Sequence, residues 1–221
     1  MWNNNVKRWR VGSVLLMLAA VVYLMCEAIT AAAWVDPPYK YHYNFISDLG
    51  VPVVMELQGR ILNSPLQLLM RFAFILQGVL FVAGYSLGSD VLPKNRRKAG
   101  IFLAATHTVG IIMVALFPGY EYRGLPLHMI GAVLAIPMGN VALLYTGLST
   151  RHSASPKWFP IISIALGAIG ITGFAACIVF LNYQYVAFFE RIAAYTIIAW
   201  EVLFGVLLLA RSQGKANALS V

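Results

Sequence analysis

The sequence predicts an all-α membrane protein, a six-transmembrane-helix bundle with a long, partly structured first extracytoplasmic segment. Three observations predict it. Hydrophobic residues make up 60% of the chain's 221 and charged residues only 11%, less than half the ~25% of ordinary soluble domains. Six apolar runs follow one another, each near the ~20 residues that cross a ~30 Å hydrocarbon core. Basic residues are divided among the short segments between those runs, as topology determinants are. The net charge of +8 is therefore no nucleic-acid face, which would gather its Lys and Arg on one soluble surface.

The runs cover about residues 11–35, 66–88, 99–117, 128–148, 159–181 and 192–210, the third and sixth being nearest the lower length limit. The first follows Lys7, Arg8 and Arg10 as a signal peptide would, but it exceeds the ~7–15 residues of a secretory apolar core and reads as an uncleaved helix. Cys26 and Cys177 each sit inside an apolar run and read as small packing residues. No internal repeat aligns, so residues 1–221 read as a single six-span domain. With a cytoplasmic N-terminus, eleven basic residues fall inside (Lys7, Arg8, Arg10, Lys94, Arg96, Arg97, Lys98, Arg151, Lys157, Arg211, Lys215) and five elsewhere (Lys40, Arg60, Arg71, Arg123, Arg191). Acidic residues fall the other way, with Glu121 in an outer loop and only Asp90 inside. The positive-inside rule then places both termini in the cytoplasm of an integral cell-membrane protein.

Residues 36–65 are too long for a tight turn and too aromatic and aliphatic for disorder. Loops of this length in compact proteins usually carry function. Residues 43–49 are expected to form a short helix or turn against the bundle, ended by Gly50 at positive φ and by Pro52. Phe45, Ile46 and Leu49 supply an apolar face that would bring Ser47 and Asp48 against the helix ends.

Ionisable residues inside spans are costly in lipid and face inward. Glu27, Arg71, His107 and Glu201 are of this kind. Glu27 and Arg71 read either as one buried ion pair or as parts of a site. Glu190, Ala194, Ile197 and Glu201 share one helical face, and Glu190 with Arg191 opens the last span. His128 shares a face with Gly131, Ala135 and Gly139, a small-residue ridge that permits close helix approach; Pro137 lies on the same span. Gly167, Gly170 and Gly173 give the fifth span a similar surface. His107, between Thr106 and Thr108, reads first as a hydrogen-bonded packing residue and second as a metal ligand.

The stretches YNFISDLG, NSPLQLLMRFAFILQG, ALFPG, LH and FERI occur in that order. As a set they resemble the prokaryotic membrane proteins grouped as "domain of unknown function 998". ISDLG is also similar to the ISDTG segment of eukaryotic DRAM-type membrane proteins. The first resemblance covers nearly the whole chain and implies a polar set of Glu27, Asn44, Ser47, Asp48, Gly50, Pro118, His128, Glu190 and Arg191. Arg71 stands where that family is expected to carry asparagine. The resemblance implies a fold and a motif set, without an activity.

These residues map to the outer ends of helices and predict a polar pocket near the extracytoplasmic leaflet. The leading expectation is a binding protein for a membrane lipid headgroup or small amphiphile, serving sensing, lipid organisation or transport. Its binding set is Glu27, Asn44, Ser47, Asp48, Arg71, His128, Glu190 and Arg191, with no cofactor and no metal. The first alternative is an intramembrane hydrolase or transferase in which Asp48 and His128 act as base and acid or hold a metal with His107. HExxH and GxSxG motifs are absent, so ligands would have to come from several helices. The second alternative is a structural partner subunit.

Overall fold

The computed structural model describes residues 2–57, 59–119, 124–153 and 155–217. Six helices dominate: α1 (Trp2–Ala33), α2 (Gln67–Gly88), α3 (Arg97–Leu116), α4 (Gly124–Thr150), α5 (Trp158–Val179) and α6 (Val186–Asn217). All six are long and apolar enough to cross a membrane, in agreement with the predicted fold class. Their bounds differ from the apolar runs at polar ends. Thus α1 starts at Trp2, and α6, predicted among the shortest, spans 32 residues. A helix satisfies its own backbone and can continue past the lipid boundary, whereas hydropathy marks only its apolar part. Glu121 and Arg123, assigned above to outer positions, lie outside the described residues.

Each helix packs on its sequence neighbours, and α6 returns to α1 to close a ring. Because α6 also touches α4, α5 is left at the periphery as the least buried span. Lipid tails are as apolar as leucine, so close packing and polar ties must hold such helices together. Gly110 and Gly131 supply the closest approach between α3 and α4: a Cβ on Gly110 would stand 2.3 Å from the Ala135 nitrogen. The small surface of α5 serves the same purpose against α4 and α6, where Gly170 makes room for Asn140. Asn140 in turn donates to the Ala193 carbonyl at 2.8 Å and accepts from Thr196 Oγ1 at 2.7 Å.

The connection from α1 to α2 caps one end of the ring, called here the hairpin end. It contains a 3-10 turn at Ser47–Gly50 and a two-stranded antiparallel hairpin, β1 (Met55–Leu57) with β2 (Arg60–Leu62). The hairpin was not predicted. Gly59, at φ 77°, takes the left-handed conformation in its turn, a backbone that only glycine adopts freely. Gly50 does not have positive φ; it ends the 3-10 turn, and extended Val51 carries the chain away. Ile46, Leu49, Val51 and Leu62 are buried with Tyr23, Met70 and Phe74 in one core cluster. At the opposite half of the bundle Phe81, Tyr85, Phe159, Trp200 and Phe204 pack as a layer of aromatic rings.

Candidate functional site

The hairpin end brings charged residues of α1, α6 and the connecting segment together. Arg191 lies one residue past Glu190 near the start of α6, and its buried guanidinium reaches across to α1. Nη2 donates to Glu27 Oε1 at 3.5 Å and to the Tyr39 hydroxyl, and Nη1 donates to the Asn44 carbonyl at 2.8 Å. Tyr195, one turn along α6, donates to the same Glu27 oxygen at 2.8 Å. Burial pushes the Tyr39 phenol far above its ordinary range, so it keeps its proton and donates to the Phe45 carbonyl at 3.0 Å while accepting from Arg191. Asn44 closes its own turn by accepting the Lys40 N–H at 3.0 Å.

Asp48 belongs to a second, adjacent charge pair. Its Oδ2 accepts from Arg60 Nε at 3.1 Å and from the Phe45 N–H at 2.9 Å, and the guanidinium lies 4.5 Å over the Phe45 ring. Burial raises the Asp48 carboxyl above the ordinary carboxylate range, while Arg60 and the Phe45 N–H pull it down. Glu190 binds the segment by its backbone, its Oε2 accepting the Ile46 N–H at 2.7 Å. A buried charge must be paired and hydrogen-bonded to be tolerated, and three elements contribute to meeting that demand.

Several expectations are corrected by this geometry. Glu27 pairs with Arg191, not with Arg71, and Asp48 takes Arg60 as its ion-pair partner. Arg71 forms no ion pair among the described residues; its Nε donates to the Ala115 carbonyl at 2.7 Å. Its side chain thus ties α2 to the end of α3 and packs beside Gly50 of the 3-10 turn. His128 uses Nδ1 on the Phe117 carbonyl at 3.0 Å and makes no bond to Asp48. The two candidates for general acid and base are therefore engaged with different partners. Among the described residues no three His, Cys, Asp or Glu groups converge closely enough to hold a metal ion.

Three participants were overlooked in the sequence: Arg60, Tyr39 and Tyr195. Tyr195 carried a usable signal, since i, i+4 spacing places it on the Arg191 face. Arg60 carried none, because its direction depends on the hairpin.

Two spaces open beside these residues. One, of about 60 Å³, lies within the ring and is lined by Ser47, His128 and Glu190 toward the hairpin end and by Gln77 and His107 halfway along the helices. Ile111, Ala135, Ala194 and Ile198 form part of its apolar wall. The other is a groove of about 600 Å³ between α5 and α6. Tyr41, His42, Arg191 and Tyr195 stand in its upper part, and Leu166, Ile192, Thr196 and Ala199 line its length.

Neither the curated proteins nor the solved structures include a match to this chain. A family model does match, over residues 17–207, and that stretch carries all the paired charges described above. The match agrees with the resemblance drawn from the motifs, and the chain belongs to the family described as Protein of unknown function (DUF998).

Proposed function

We propose that the protein binds a phospholipid at the extracytoplasmic leaflet, with the headgroup beside Arg191 and one acyl chain in the groove between α5 and α6. The observation that carries this reading is the shape of the groove. From Phe188 to Ala199 along α6 it runs about 17 Å at ~1.5 Å per residue, and one leaflet is about half of the ~30 Å core. Its upper part offers a guanidinium, an imidazole and two phenols, while its floor is mainly aliphatic. That division matches an anionic head on an apolar tail. Arg191 lines that upper part, and a guanidinium is suited to phosphate. Glu27, Tyr39 and Asn44 act as positioning residues that hold the guanidinium in place.

The eleven-to-five division of basic residues supports assigning the hairpin end to the outside. Native mass spectrometry of the detergent-purified protein tests the reading. The wild type is expected to retain phospholipid, and Ala199→Trp, at an exposed position in the groove, is expected to lose most of it with an unchanged melting temperature. Equal retention by the two proteins would refute the groove as the binding site.

A further inference from the structure

Halfway along α3 and α6, well below the charge pairs, three polar side chains are buried together. Gln77 Nε2 donates to Glu201 Oε1 at 2.6 Å, and both amide atoms of Gln77 stand 3.3 Å from His107 Nε2. His107 Nδ1 contacts the Ala135 carbonyl at 2.8 Å; a carbonyl only accepts, so Nδ1 carries a hydrogen. No Lys, Arg or His nitrogen lies within ion-pair distance of Glu201 among the described residues, and its Oε2 is buried without a partner.

These contacts define two protonation states of equal total charge. With the proton on Glu201, neutral His107 accepts at Nε2 from the Gln77 amide N–H. With the proton on His107, Nε2–H donates to Gln77 Oε1, and the Gln77 N–H bond to the Glu201 carboxylate is kept. Because the amide oxygen and nitrogen are equidistant from the ring, Gln77 serves both states without turning over. An uncompensated charge at mid-membrane is costly, and both states avoid one by holding a single proton.

The internal cavity supplies the route to this site. His107 and Gln77 line its deep end, and Ser47, His128 and Glu190 line it toward the hairpin end. If Nδ1 of His128 carries the hydrogen donated to Phe117, the neutral ring leaves Nε2 as an acceptor. A space of 60 Å³ exceeds the ~10–15 Å³ that one water needs, and these polar groups supply its partners. Tyr23 is the remaining titratable group on the cavity wall. On the far side Phe81 packs against the His107 ring at 4.7 Å and adjoins Trp200, so the aromatic layer separates the site from the opposite end.

We propose that His107, Gln77 and Glu201 form a single-proton site at mid-membrane, loaded from the hairpin end through the hydrated cavity. The proposal is independent of lipid binding in the groove. Infrared difference spectroscopy of the full chain in liposomes, wild type minus Glu201→Gln at one fixed pH, tests it. A carboxylic-acid C=O band assigned to Glu201 is expected in the wild type and absent from Glu201→Gln. His107→Gln removes the alternative proton position and should strengthen that band. Ala132→Phe, on the cavity wall, should slow deuterium exchange of the band about tenfold while leaving its intensity unchanged. No Glu201 band in either the wild type or His107→Gln would overturn the site, and exchange unaffected by Ala132→Phe would overturn the route.

Discussion

At the level of single residues, three arginines near the hairpin end differ more in their partners than in their surroundings along the chain. Arg60 neutralises a buried carboxylate, Arg191 joins α6 to α1 and the connecting segment, and Arg71 bonds a single backbone carbonyl. Removing one member of a buried pair costs about 3–5 kcal/mol because the other charge is stranded. Losing one hydrogen bond from a charged group costs about 1.5–3 kcal/mol. Arg60→Ala should therefore lower stability in detergent more than Arg71→Ala, as read by thermal unfolding. In an Asp48→Asn background the Arg60→Ala penalty should shrink, and a full penalty there would mean Arg60 acts through some other contact. That Glu27 and Asp48 are buried was legible in the sequence from span position and from the apolar neighbours Ile46 and Leu49. Their partners were not, because Glu27 and Arg191 lie 164 residues apart and meet only when α6 packs on α1.

Among the elements, small residues set helix spacing and the hairpin sets the direction of Arg60. At Gly110 a Cβ would fall 2.3 Å from backbone nitrogen, whereas at Gly214 nothing lies within 4 Å. Gly110→Val should force α3 from α4 and markedly lower the melting temperature, while Gly214→Ala should leave it unchanged or raise it slightly, the reduced unfolded-state entropy adding ~0.4–1 kcal/mol of stability. Gly59→Val places a β-branched residue at φ 77°, a strain of about 1–3 kcal/mol. Limited proteolysis should then cut the connecting segment faster while the six helices stay intact; unchanged cleavage would mean the turn does not hold the segment. The ridge of Gly131, Ala135 and Gly139 was readable as a packing face because helical periodicity aligns it. The hairpin was not readable: VPVVMELQGRIL lacks the Asn-Gly or Asp-Gly turn that announces such pairs, and each strand is only three residues long.

For the whole molecule, six spans put both termini on one side of the membrane, and the basic residues predict which side. A reporter fused after Val221 should remain cytoplasmic, and Lys40→Cys should react with an impermeant thiol reagent from outside. Labelling of the fused C-terminus from outside would invert the arrangement and move both the groove and the cavity entrance to the inner leaflet. The sequence by itself determined the solvent, the number of spans and the inward-facing ionisable residues. Those properties are local or additive over ~20 residues, so composition and spacing suffice. Tertiary structure alone decided that Glu27 meets Arg191, that Asp48 meets Arg60, and that Glu201 shares Gln77 with His107. Each of those partnerships depends on how far one helix is rotated about its axis against another, or on a hairpin folding back. Those angles are set by the packing of many side chains together, and no single stretch of sequence contains them.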